Sequence, residues 1–373
     1  MANNRAPARA GDALESIDTP ALLLQIEPFQ SNLAAMARTV AAAAKALRPH
    51  GKAHKCVEIA RRQVAAGAVG ICCQKVSEAE VFVEAGIGDV LVSNQVVGER
   101  KVDRLAALAM RARIGVCVDH PLQVEQLAAA ARRRNVSIDV LIEVDVGARR
   151  CGVTSVDESL ALSARVAAAA PALRLRGLQA YQGRAQHLRG VDERRAAIAA
   201  AAELAGRHRA ALRAAGHPCE VVTGGGTGSF TSELASDVYT EVQPGSYVLM
   251  DADYHANTAD PLAPAFGQVL TVLTTVISVH ATHVVLDAGL KALSAECGLP
   301  QSTEPGWKTS GISDEHVVMR PDGDGGRRLA VGDRFRLMPS HCDPTVNLHD
   351  WIVVMRGDTV DGVWAVDARG AMS

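Results

Sequence analysis

Between residues 47 and 242 the chain repeats one unit eight times: a short β-branched run, then an alanine-rich stretch of helical character. The candidate strands are 47–51, 69–73, 89–92, 113–118, 138–144, 175–181, 219–223 and 238–242. Among the stretches between them, 57–66, 78–85, 121–134, 155–170 and 192–215 read as amphipathic or alanine-rich helices. Eight strands alternating with helices predict an α/β fold, a (β/α)8 TIM barrel.

The pattern changes near residue 255. From Phe266 onward the chain is rich in Val and Thr, with strand-like runs at 269–276, 282–287, 334–338 and 351–356. Turn-forming residues at 321–326 separate these runs and no long helical period appears, so a mostly antiparallel β domain is expected to follow the barrel. Residues 18–26 read as a further strand and 28–46 as a helix entered by Pro28. That strand is one more than the barrel needs. It is assigned to the β domain, which places the barrel at 26–254 and builds the β domain from 1–25 plus 255–373. The 373 residues suit a barrel of roughly 250 residues with a smaller domain beside it.

Composition bounds the partners. A formal net charge of −2 gives no argument for nucleic acid or an anionic membrane. No apolar run approaches the roughly 18 residues of a membrane span. The opening MANNRAPARAGDALES lacks an apolar core and reads as a loose tail rather than a signal peptide. None of the eight cysteines forms a CxxC pair, and Cys72 and Cys73 are adjacent, so reduced thiols in a cytoplasmic metabolic protein are expected.

In such barrels the chemistry sits where strands end. Lys52 ends the first strand within Arg48-Pro49-His50-Gly51-Lys52-Ala53-His54-Lys55, a position from which a lysine can hold pyridoxal phosphate as a Schiff base. Arg149 and Arg150 follow the fifth strand and Tyr181 ends the sixth. The segment Thr223-Gly224-Gly225-Gly226-Thr227 follows the seventh and Gln243-Pro244-Gly245-Ser246-Tyr247 the eighth. Three glycines after a buried strand let the backbone approach a phosphate, and the N–H groups opening the next helix can donate to it. Near the other end, Pro339-Ser340-His341-Cys342-Asp343-Pro344 sets an imidazole and a carboxylate two residues apart. On an extended segment both point to one side and can hold a divalent cation, the competing reading being a polar turn before Pro344.

Together the Arg-Pro-His-x-Lys run, the glycine triplet, the Gln-Pro-Gly-Ser-Tyr run and the His-x-Asp pair resemble the D-threonine aldolase and D-serine dehydratase family, which shares its fold with alanine racemase. The likeness spans about 18–351. It implies a pyridoxal 5'-phosphate barrel, a β domain and a homodimer acting on small-molecule D-3-hydroxy-amino acids. Lys52 resembles the cofactor-bearing lysine, with Lys55 as competitor. Arg150 matches the arginine that contacts the cofactor's phenolic oxygen, although Arg149 could take its place. Tyr181 resembles a cofactor-pocket tyrosine, against simple barrel packing. Gln243 departs from the racemase branch, where an arginine faces the pyridine nitrogen. The implied cofactor contacts are therefore Lys52, Arg150, Tyr181, Gly224, Gly225, Gly226, Thr227, Gln243, Gly245, Ser246 and Tyr247.

The metal pair separates the subfamilies. Dehydratases of this family resemble His-x-Cys here, a soft set favouring zinc, whereas Asp343 is harder and admits manganese, magnesium or cobalt beside zinc. With Lys52, His341 and Asp343 as catalytic residues, retro-aldol cleavage to glycine and an aldehyde is the expected reaction. The alternatives are a dehydratase giving a keto acid and ammonia, or a D-3-hydroxyaspartate aldolase. A noncatalytic cofactor carrier fits poorly, since such proteins lack the β domain. His349 and Asp350 are read as structural; His316 stays open between the site and the surface.

Overall fold

A computed structural model describes residues 5–217, 219–323 and 325–373. Four residues of the expected tail, and Asp324 of the expected 321–326 turn cluster, thus lie outside the described residues.

The chain opens with strand β1 (Ala21–Gln25) and helix α1 (Ile26–Ala42). Eight parallel strands follow: β2 (Ala46–Leu47), β3 (Ile71–Cys73), β4 (Asp89–Gln95), β5 (Arg113–Val118), β6 (Ile138–Glu143), β7 (Leu173–Gln179), β8 (Val221–Gly224) and β9 (Glu241–Val242). Their order is β2-β9-β8-β7-β6-β5-β4-β3. The ring closes between β2 and β3, where Val69 donates to the Leu47 carbonyl at 2.9 Å and Cys72 to that of Pro49 at 2.8 Å. Helices α2 (Val57–Ala65), α3 (Val76–Glu84), α4 (Glu99–Leu108), α5 (Pro121–Arg134), α6 (Val156–Ala168), α7 (Val191–Ala214) and α8 (Phe230–Ala235) fill the crossovers. The expected (β/α)8 barrel is present.

Helix starts follow local chemistry. The Ser155 hydroxyl accepts from the Glu158 N–H while Glu158 reaches back to Ser155, a reciprocal cap. Pro121 opens α5 at the position where a missing N–H costs nothing. Ion pairs close the barrel at the N-terminal ends of its strands: Arg48 to Asp89 at 2.7 Å and to Glu241 at 3.0 Å, and Arg113 to Asp139 at 2.7 Å. The opposite end of the barrel holds a cavity.

After the short helix α9 (Ala252–His255), the strands β10 (Leu270–Val279), β11 (Val284–Leu286), β12 (Gln301–Ser302), β13 (Trp307–Ile312), β14 (Val317–Pro321), β15 (Arg334–Met338), β16 (Trp351–Arg356) and β17 (Thr359–Ala365) build a second sheet, interrupted by helix α10 (Cys342–Val346). Strand β1 lies inside it, antiparallel to β10 and parallel to β16. A single apolar cluster runs from Phe29, Met36, Leu47 and Ile59 to Leu270, Phe335, Leu337 and Ile352, so α1, β2 and β9 pack with the β domain while the other barrel strands keep a core of their own.

Two expectations are corrected. The described part of the opening segment is pinned: Gly11 donates to Val360 at 2.8 Å and Leu14 to Asp358 at 2.9 Å, because Ala8 and Ile17 bury against Leu23, Leu273 and Val353. The His341–Asp343 segment is not extended throughout. His341 is extended, but Asp343 stands in the first turn of α10, where Pro344 is tolerated because a first-turn N–H has no partner to lose.

Candidate active site

A cavity of about 340 Å³ opens at the C-terminal end of the barrel, lined by Lys52, Arg150, Tyr181, Thr227, Gln243 and Asp343 among others. Its volume suits one small cofactor and substrate. The turn carrying Lys52 (Gly51–Ala53) follows β2 directly, and the Lys52 N–H leans on His50 Nδ1 at 3.3 Å. Lys52 Nζ reaches Asp343 Oδ2 at 2.6 Å, an ion pair joining the barrel to the β domain. The Asp343 charge holds Lys52 well above its ordinary value. Burial alone would raise the Asp343 carboxyl, but Lys52 and His341 overcome it and hold it well below the carboxylate range. Ser246 Oγ donates to the other Asp343 oxygen at 3.3 Å.

His50 is buried beside Lys52, its Nε2 3.1 Å from Ser93 Oγ. Burial and the neighbouring ammonium push it down to about 3, so the imidazole is neutral and adds no second charge. Arg150 lies over the Tyr181 ring, 5.8 Å from its centroid. Gln243 pairs amide to amide with Gln179 at 2.8 Å and donates to Thr223 at 2.9 Å, an uncharged polar floor.

The glycine loop holds the backbone against the cavity. Gly225 has φ +76°, and a Cβ on Gly226 would stand 2.4 Å from Gln186 Oε1, so neither position admits a side chain without strain. Gly226, Thr227, Gly245 and Ser246 line the cavity. Gly224 and Gly225 shape the loop from behind. The Tyr247 ring is fully buried in the shared core with its hydroxyl 3.3 Å from Gln63 Nε2, and the residue presents its N–H to Thr227 Oγ1 at 2.9 Å. Lys55 has φ +50° and is paired with Glu78 at 2.5 Å, both buried, which places it outside the cavity and away from solvent.

His341 stands at the rim, its Nε2 3.8 Å from Asp343 Oδ1. Asp251, fully buried, fixes this segment: it accepts from the Cys342 N–H at 2.8 Å and the Tyr254 N–H at 2.9 Å. Tyr254 and His187, cavity residues that the sequence motifs did not single out, come from α9 and from the loop before α7, with rings 5.9 Å apart. The aromatic and imidazole types were visible, but neither ends a barrel strand. His349 donates toward the Ala292 carbonyl at 2.8 Å, a structural role, and His316 is exposed.

The residues fit pyridoxal phosphate and a cation. A lysine amine, a side-chain-free loop of N–H donors and an aromatic wall surround one cavity of matching size, and a nitrogen and an oxygen face each other across a gap that one ion can span.

The alanine racemase N-terminal domain family matches residues 24–253, and the serine dehydratase domain family matches 269–355. The chain belongs to the alanine racemase-like family of D-threonine aldolases and D-serine dehydratases. It is 50% identical to a D-threonine aldolase from Arthrobacter sp over 98% of this chain and 96% of that one. A 3-hydroxy-D-aspartate aldolase from Paracoccus denitrificans (strain Pd 1222) is 43% identical over 98% and 95%. The crystal structure of D-threonine aldolase from Filomicrobium marinum superposes with a TM-score of 0.96 at 46% identity, covering 99% of this chain and 100% of that one. The family likeness read from the lysine run, glycine triplet and His-x-Asp pair is thereby established.

Proposed function

We propose that this protein cleaves D-threonine and related D-3-hydroxy-amino acids to glycine and an aldehyde. The observation that carries the reading is the 2.6 Å contact between Lys52 and Asp343, which brings the imine-forming amine of the barrel against a carboxylate ligand of the β domain. When bound, pyridoxal phosphate supplies an electron sink at the substrate α-carbon, and a divalent cation supplies a Lewis acid at the β-hydroxyl. Lys52 would hold the cofactor, with the Gly226, Thr227, Gly245 and Ser246 backbone facing its phosphate and Arg150 and Tyr181 flanking its ring. His341 and Asp343 would hold the cation; Mn²⁺, Mg²⁺, Co²⁺ and Zn²⁺ all suit a nitrogen and a carboxylate oxygen.

Asp343 is the residue that favours aldol cleavage over dehydration, because it keeps the ligand pair hard where the dehydratases resemble a His-x-Cys pair. Neutral His50 keeps a competing charge away from Lys52, and Gln243 keeps the cavity floor uncharged. We read the protein further as a cytoplasmic homodimer: its eight cysteines are all free, and dimerisation is the habit of the family.

The test is product analysis with D-threonine and D-3-hydroxyaspartate, in wild type and D343A. Glycine with acetaldehyde or glyoxylate is expected from wild type. D343A should lose cleavage while keeping the visible cofactor absorbance. Keto acid and ammonia as the main products would instead establish the dehydratase.

A further inference from the structure

The two ring nitrogens of His341 face different partners. Nε2 lies 3.8 Å from Asp343 Oδ1, whereas Nδ1 lies 2.5 Å from Glu296 Oε1 and 3.9 Å from Cys297 Sγ. One donor atom from each of Glu296, Cys297 and His341 falls within 4.8 Å of the other two. We propose that Glu296, Cys297 and His341 Nδ1 form a second site, for a soft or borderline divalent ion such as Zn²⁺ or Cd²⁺, whose occupation excludes the hard ion at His341 Nε2 and Asp343. This rests on the reading of His341 and Asp343 as ligands.

Geometry supports the site. Tetrahedral zinc, with bonds of about 2.3 Å to sulfur and about 2.0 Å to nitrogen, sets those two atoms roughly 3.6 Å apart. The observed 3.9 Å needs little adjustment. A nitrogen and an oxygen on the same ion stand roughly 3.3 Å apart, so the Glu296 carboxylate must back away by less than about 1 Å. Its side chain is 56% exposed and free to do so. Cys297 is the exposed thiol of the chain; six of the others are buried, one of them Cys342 between the catalytic ligands.

Exclusion follows from the proton count of a neutral imidazole. With the hard ion on the Nε2 lone pair, the ring's one proton sits on Nδ1 facing Glu296. An ion bound through Nδ1 needs that lone pair there instead, and the proton moves to Nε2, which then no longer ligates. The Cys297 thiol proton leaves to solvent as the thiolate binds. Thiolate ligation also sets the ion class, because manganese and magnesium prefer oxygen donors.

Cadmium alone serves as the probe, added to full-length protein loaded with Mn²⁺ while ultraviolet thiolate-to-cadmium absorption and the resonance of free Mn²⁺ are followed. The wild type should develop the absorption as Mn²⁺ is released. C297S should lose that absorption entirely and still cleave D-threonine with Mn²⁺, and D343A should keep the absorption. Mn²⁺ release without absorption, or absorption unchanged in C297S, overturns the site; Mn²⁺ retained while the absorption develops overturns the exclusion. D343A separately tests the underlying reading: undiminished Mn²⁺ binding there would remove Asp343 from the catalytic pair and leave the cadmium result standing.

Discussion

Lys52 and Lys55 are three residues apart, and the fold gives them opposite surroundings. Lys52 opens on the cavity, whereas Lys55 is clamped in a left-handed turn against Glu78, whose other oxygen accepts the Gln74 and Lys75 N–H groups at 2.8 and 3.1 Å. K55A therefore strands a buried carboxylate and should destabilise the protein by about 3–5 kcal/mol in urea unfolding. K52A takes the ammonium away from Asp343 and should abolish borohydride trapping of the cofactor. Spacing alone could not separate these lysines, because what separates them is a partner 23 residues away in sequence. Glu233 makes a different prediction. It is fully buried behind the glycine loop, one oxygen accepting from Ser229 at 2.9 Å, and burial pushes it up to about 7. The folded state thus holds a proton that the unfolded chain has released between roughly pH 4.5 and 7. Stability from this group is complete below about pH 4.5 and is lost as pH rises to about 7, by up to about 3 kcal/mol. E233Q should flatten that part of the pH dependence in denaturant titrations, and an unchanged slope would place the proton elsewhere.

The loop from β8 to α8 shows how one element shapes the cavity. G226A should retain the fold yet weaken cofactor binding by at least about tenfold, measured by absorbance titration, since its Cβ must displace Gln186 from a hydrogen bond to the Gly228 N–H at 2.9 Å. Element type was legible wherever burial dictates composition. The runs at 334–338 and 351–356 coincide with β15 and β16, and 113–118 with β5. Strand ends were less so. The first and last barrel strands shrink to Ala46–Leu47 and Glu241–Val242, because the neighbouring residues turn away to make the ion-paired base and the cavity rim. Helix α4 was not singled out even though Val102, Leu105 and Ala106 give it a buried stripe. Among the residues that line the cavity, the strand-end rule picked out Lys52, Arg150 and Tyr181. It could not find Tyr254 or His187, which enter from connections whose position depends on how the β domain seats on the barrel.

At the scale of the molecule, helix α1 and the barrel strands β2 and β9 share one apolar cluster with the β domain beside the barrel's own core, and the Lys52–Asp343 ion pair also joins barrel and β domain. The protein should therefore unfold in a single transition. The check is built into the sequence: all three tryptophans, Trp307, Trp351 and Trp364, belong to the β domain, while the long helices belong to the barrel. Tryptophan fluorescence and helical circular dichroism should give coincident midpoints, and two separated midpoints would show independent domains. The placement of β1 also governs the order in which the molecule can be made. Leu22 pairs with Val272 on one side and with Ile352 on the other. On the ribosome, the first strand must wait on the order of tens of seconds for its second neighbour to emerge. The barrel strands are all translated within that interval. A newborn chain therefore has all eight barrel strands out before β1 gains its second neighbour, and its second sheet closes only when its last strands reach its first.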